Sequence, residues 1–144
     1  MSNSSSTKML FELASLHLEK VGGRLAIANK NALDAKEKLT TLDGYRKDYI
    51  SRYAYSLTNG IQIEVLKNHQ KFIRKLDDAI YGQEQFIENL KKTVKQEMVA
   101  WQAQQQKKMS YEVLLQRLQQ KKQTQEMKLD QKMMDEFAAR AKKQ

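Results

Sequence analysis

Few residues in this sequence have the types and spacing that chemistry needs. There are two histidines, His17 and His69, and no cysteine. That removes a disulfide framework, a Cys-based zinc site and a thiol nucleophile together. Two distant histidines do not make a His-rich metal centre. They read more simply as seam or surface residues than as catalytic bases. Asp77-Asp78 and Asp135-Glu136 are paired carboxylates, but neighbours on a helix point in different directions and cannot share a proton over one substrate. No Gly-rich phosphate loop and no HExxH spacing occurs. No catalytic, metal or cofactor role is therefore expected. What remains is chemistry of contact. Tyr45, Tyr49, Phe72 and Phe86 recur at helical spacing, and Lys107, Lys108, Arg117, Lys121 and Lys122 cluster in the last third of the chain.

The elements that carry these residues follow from composition. In 144 residues there is no Pro, there are 5 Gly, and 30% are charged. Hydrophobic residues make up 40%, too few for an ordinary compact core. Pro costs a helix interior about 3 kcal/mol, so its absence permits very long helices. An apolar row with alternating steps of three and four runs Phe11, Ala14, Leu18, Val21, Leu25, Ala28, Ala32, Ala35, Leu39, Leu42, and on through Arg46, Tyr49 and Tyr53. A second runs Leu66, His69, Ile73, Leu76, Ile80, Gln83, Ile87, Leu90, Val94, Glu97, Trp101. A mean period of 3.5 is the seam of a left-handed coiled coil, and the polar residues within it set register. Between the rows stands Asn59-Gly60, the strongest turn signal in the chain.

The expected fold is all-α, a long two-helix antiparallel coiled-coil hairpin. The expected parts are a disordered N-terminus at 1–7, a first helix at 8–57, a turn at 58–61, a second helix at 62–140 and a frayed tail at 141–144. Ser4 to Thr7 could cap the first helix. Gly22-Gly23 marks either a bend or a local weakening. Equal rise along both arms pairs residues whose numbers add to roughly 120. About thirty C-terminal residues then extend beyond the start of the first helix.

From Gln104 onward ten Lys and Arg stand against five Asp and Glu, so this stretch carries more than half of the +9 net charge. Val113, Leu114, Leu118, Met127, Met133, Met134 and Phe137 keep apolar side chains on it. Such a helix fits a partner, a solvated tail or nucleic acid, although no nucleic-acid motif is present. Nearer the turn, Leu42, Tyr45 and Tyr49 on the first arm lie beside Phe72, Leu76, Ala79, Gln83 and Phe86 on the second. Two helices cannot bury both the seam and this extra row, so Tyr45, Phe72, Ala79 and Phe86 should be partly exposed. A binding face explains that row, and self-association into a four-helix assembly is the alternative. The N-terminus lacks the basic and apolar regions of a signal peptide, and no apolar run approaches a membrane span. A cytoplasmic protein is expected.

Several segments together resemble one family. Leu39-x-x-Leu42-x-x-Tyr45-Arg46-x-x-Tyr49 resembles the L-x-x-L-x-x-Y-x-x-Y signature of the flagellar export protein FliJ family. Asn59-Gly60-Ile61 is similar to that family's hairpin tip, and Gln70-x-Phe72-Ile73-x-x-Leu76-x-x-Ala79-Ile80 to its second-helix motif. Leu129 to Ala138 resembles its tail motif, D-Q-K-x-M-D-E-F-A. Lys38 stands where relatives can have Gln, and Gln83 where they can have His.

The resemblance implies a stalk-like component of the bacterial flagellar type III export apparatus, similar to the central stalk of rotary ATPases. It implies insertion into the export ATPase hexamer and promotion of its assembly. It also implies binding to the cytoplasmic domain of the export gate and to export chaperones, at the inner face of the cell membrane. The gate face would comprise Leu42, Tyr45, Tyr49, Phe72, Leu76, Ala79 and Gln83. The basic residues Lys107, Lys108, Arg117, Lys121 and Lys122 would face the ATPase ring. The equivalent stalk of a virulence secretion system and a nucleic-acid-binding coiled coil are the alternatives.

Overall fold

A computed structural model describes residues 2–143. Helix α1 spans Ser2–Asn59 and helix α2 spans Ile63–Lys143. The two pack against each other as an all-helical hairpin, with no strand among the described residues. Both helices run further than the sequence led us to expect. Residues 2–7, expected to be disordered, are helical, and so are residues 141–143. Met1 and Gln144, which belong to those two expected segments, lie outside the described residues. Thr7 is not a cap. Its hydroxyl donates back to the Asn3 carbonyl at 2.7 Å, and its side chain is buried, which extends the seam by one position.

The reversal is made by residues 60–62. Gly60 has φ +85°, the left-handed conformation that ends a helix and that a Cβ disfavours. The Gln62 carbonyl accepts from the Leu66 N–H at 3.0 Å, so Gln62 opens α2. Gly22 and Gly23 lie within an unbroken α1.

The chain divides into two compact units, and the division falls at those glycines. A turn unit comprises Gly22–Ala100, and a terminal unit comprises Met1–Val21 with Trp101–Gln144. In the turn unit the least exposed residues are Ala28, Ala32, Ala35, Leu76 and Ile87. Every one is a seam position of the 3-4 pattern. The antiparallel register places the three alanines opposite Ile87, Leu90 and Val94, so small side chains on α1 meet large ones on α2.

Polar side chains bridge the same seam. Gln83 Nε2 donates to the Ala35 carbonyl at 2.9 Å. Arg24 reaches Glu97 at 3.0 Å, Arg46 pairs with Asp77, and Gln70 donates to the Tyr53 hydroxyl at 3.5 Å. The residue numbers in these four pairs add to between 118 and 123, close to the 120 that equal rise requires. The polar seam residues therefore hold register, as polar residues at such positions do.

In the terminal unit Thr7, Ala14 and Val21 are buried on α1. Trp101, Gln104, Lys108, Tyr111, Leu115 and Leu118 are half-buried on α2. The seam on α2 thus runs seventeen residues past Trp101 without a break in its 3-4 steps. It ends at Leu118, the residue in register with position 2. From Gln119 to Lys143 every residue is exposed. Among the described residues no helix is long and apolar enough to cross a membrane.

Candidate partner-binding faces

The aromatic face is set by heptad position. Phe72, Ala79 and Phe86 stand seven apart, each immediately before a seam residue of α2 (Ile73, Ile80, Ile87). Tyr45 immediately precedes the seam residue Arg46 on α1. In an antiparallel pair these equivalent flanking positions fall on the same side of the coil. Tyr45 is 60% exposed, Phe72 44% and Phe86 52%. Ala79 is exposed too, and the register places Tyr45 between Phe72 and Ala79 across the coil. Seven residues span about 10 Å of helix, so a small side chain sits between two rings roughly 20 Å apart.

Of the seven residues expected on this face, three are exposed, namely Tyr45, Phe72 and Ala79. Leu42, Tyr49 and Gln83 are half-buried in the seam, and Gln83 is already committed to the Ala35 carbonyl. Leu76 is 8% exposed and belongs to the core. It holds the two helices together beneath the face and offers no surface to a partner. Tyr49 links seam and face, because its ring packs on Phe72 with centroids 4.4 Å apart and on His69 at 4.9 Å. Tyr53 closes over the same imidazole at 5.7 Å. Nδ1 of His69 is buried there without a hydrogen-bond partner among the described residues. Phe72 is thereby held from below by a row of rings. A preset aromatic side chain loses little freedom when a partner covers it.

The second candidate face lies on the terminal unit. Lys107, Arg117, Lys121 and Lys122 are exposed. Lys108 is not an equivalent member of the set. It occupies a seam position, is half-buried, and holds its ammonium 5.7 Å from the centroid of the Phe11 ring. Its charge is spent on a cation–π contact inside the coil.

Sequence reasoning missed a third group. Leu10 and Leu114 are each 43% exposed and take, in the terminal unit, the heptad position that Tyr45 and Phe86 take in the turn unit. The signal was present, since Leu114 stands four heptads after Phe86. It was hidden because Thr93, Ala100 and Lys107 interrupt the row.

Comparison with known proteins places this architecture. The family model described as Flagellar FliJ protein matches residues 5–144. The Flagellar FliJ protein of Escherichia coli (strain K12) is 29% identical over 132 residues, covering 92% of this chain and 90% of that protein. The Flagellar FliJ protein of Salmonella typhi is 27% identical over 141 residues, covering 98% of this chain and 96% of its own length. With a match that takes in both helices and the turn, the chain belongs to the FliJ family of flagellar proteins.

Proposed function

We propose that this protein, as a FliJ-family component of the flagellar export apparatus, couples the export ATPase to the export gate without catalysing a reaction itself. In this reading the terminal unit enters the ATPase hexamer and promotes its assembly, with Lys107, Arg117, Lys121 and Lys122 meeting the ring. The aromatic face of the turn unit binds the cytoplasmic domain of the gate, and export chaperones are further partners. The protein then works in the cytoplasm, held peripherally at the membrane by the apparatus. The observation that carries the reading is the exposed row Tyr45, Phe72 and Ala79. Physical argument singles out these residues as more apolar than a two-helix coil can bury, and the family resemblance implies the gate face at the same positions.

The stalk role is tested by titrating the protein into the purified export ATPase. Hexamer formation and hydrolysis rise together if the reading holds. Unchanged assembly and hydrolysis across the concentration series overturn it.

A further inference from the structure

At the reversal, the turn unit carries apolar side chains that neither the seam nor the aromatic face uses. Tyr55 is 73% exposed and Ile63 69%, and Leu57 and Val65 are exposed as well. All four lie within five residues of Gly60, so they occupy the last 8 Å or so, roughly, of the coil. Ile61, in the turn itself, is half-buried. Among the described residues nothing covers this end.

The four stand on both sides of the coil. Leu57 is four after the seam residue Tyr53, and Ile63 is three before the seam residue Leu66. Those are equivalent heptad positions, which in an antiparallel pair fall on one side. Val65 directly precedes Leu66, and Tyr55 is one turn beyond Arg52, so both lie on the other side, that of Phe72. A basic collar follows. Lys47, Arg52, Lys67, Lys71, Arg74 and Lys75 are all exposed, and between residues 47 and 75 only Asp48 and Glu64 oppose them. Lys67, Lys71 and Arg74 line one shallow depression on α2. The other acids start above the collar. Asp77 is paired with Arg46, and Asp43 and Asp78 lie further from Gly60 than any collar residue.

We propose that the turn end of the hairpin inserts end-on into the headgroup layer of an anionic lipid bilayer, with its basic collar against the lipid phosphates. Several observations select a bilayer. A protein docked on one face would cover Leu57 and Ile63 or Tyr55 and Val65, whereas a bilayer met end-on covers both pairs. The apolar depth of about 8 Å matches the roughly 5–10 Å to which interfacial segments enter a membrane. Long Lys and Arg side chains reach the phosphates from just above that depth. A second copy meeting tip to tip would oppose two collars, each with six Lys and Arg against two Asp and Glu, which repels. Single-stranded nucleic acid needs stacking platforms, and three of the four apical side chains are aliphatic. Glu64 is the one charge in the apolar tip, and it opposes insertion. This contact goes beyond the coupling role and does not rest on it.

The test is cosedimentation of the full-length chain with phosphatidylcholine vesicles, with and without phosphatidylglycerol, at low and high salt. Binding is expected on the anionic vesicles alone and should weaken with salt. Affinity should fall at least about tenfold in Tyr55→Ser/Ile63→Ser and in Lys67→Glu/Lys71→Glu, and rise in Glu64→Gln. It should change less than about twofold in Lys121→Glu/Lys122→Glu, the same charge reversal in the terminal unit. The chain has no cysteine, so Ile63→Cys places an environment-sensitive dye at the tip and Asp78→Cys places it above the collar. Emission from the first should shift to the blue on anionic vesicles, and emission from the second should not. Circular dichroism should show unchanged helicity in every variant. No binding to phosphatidylglycerol vesicles overturns the proposal, as does binding that survives Tyr55→Ser/Ile63→Ser or a dye at residue 63 that stays in water. An equal loss in Lys121→Glu/Lys122→Glu overturns it too, because net charge alone would then explain adsorption. So does a lipid-free dimer that Tyr55→Ser/Ile63→Ser abolishes. The vesicles contain neither ATPase nor gate, so this proposal and the coupling reading fail separately.

Discussion

The turn unit and the far end of α2 both expose large apolar side chains, yet their physical situations are opposite. Tyr45, Phe72 and Phe86 stand on two helices locked by a seam, and Phe72 leans on Tyr49, which leans on His69. Met127, Met134 and Phe137 stand on a single helix with no neighbour among the described residues. This end of α2 has no packed face of its own, and most helical stability in proteins comes from such a face. A partner of the turn unit meets a surface already in shape. A partner of the 119–143 segment meets a single helix with no second helix behind it. Exposure alone does not separate the two cases. What lies beneath the exposed residue does.

The largest effect that separates them is on folding. Leu76→Ala in the turn unit removes a core side chain and should destabilise the hairpin by about 2–4 kcal/mol in urea unfolding. Met134→Ala, an equally apolar loss from an exposed site, should fall within about 0.5 kcal/mol of the parent. If the two variants unfold alike, the seam does not end where burial ends, and the comparison collapses.

The next effect is on binding. On the proposed gate-binding reading, Tyr45→Ala and Phe72→Ala each cost about 2 kcal/mol of affinity for the gate's cytoplasmic domain, or roughly thirtyfold, as truncated aromatic anchors do. Phe72→Ala should also lose about 1 kcal/mol of stability through its contact with Tyr49, while Tyr45→Ala should lose almost none. Calorimetric binding and urea unfolding on the same two proteins give both numbers. A Tyr45→Ala variant that unfolds early would move Tyr45 from the face into the core.

The fold was legible in the sequence for a definite reason. A seam of period 3.5 leaves its mark at every heptad, so the rows Leu18 to Tyr53 and Leu66 to Trp101 define the pairing by themselves. The exposure of Phe72, Ala79 and Tyr45 was legible, because their row is displaced by one position from the seam. It was misread at Leu76. Both the seam and the apparent face run through that residue, and a stripe drawn from spacing does not say on which side of the contact a shared member lies. The helix ends were misread as well. Ser and Thr near the N-terminus suggest a cap, but Thr7 returns its hydroxyl to Asn3 and packs in the seam, which only the partner helix makes worthwhile.

A smaller effect compares glycines in and out of the turn. Gly60→Ala places a Cβ on φ +85° and should cost about 1 kcal/mol. Gly82→Ala meets nothing within 4 Å in the middle of α2 and should stabilise by up to about 1 kcal/mol. Opposite signs in thermal unfolding confirm that the reversal is made at Gly60 and that α2 is a regular helix at Gly82.

The smallest effect tests what the inter-helix ion pairs do. Arg24–Glu97 and Arg46–Asp77 are solvent-exposed, so each should contribute less than about 1 kcal/mol, and Arg24→Ala should barely move the urea midpoint. Their value lies in selection among registers. A slip of one heptad would leave the apolar seam residues still facing apolar ones, because the pattern repeats every seven. The same slip would separate both ion pairs and take Gln83 away from the Ala35 carbonyl. A cysteine pair at Arg24 and Glu97 should therefore cross-link readily in the parent background. In an Arg46→Ala/Gln83→Ala background it should cross-link more slowly, with a new population trapped one heptad away when Cys replaces residue 90 or 104 instead. Unchanged cross-linking would show that the Asn59-Gly60 turn alone fixes the register.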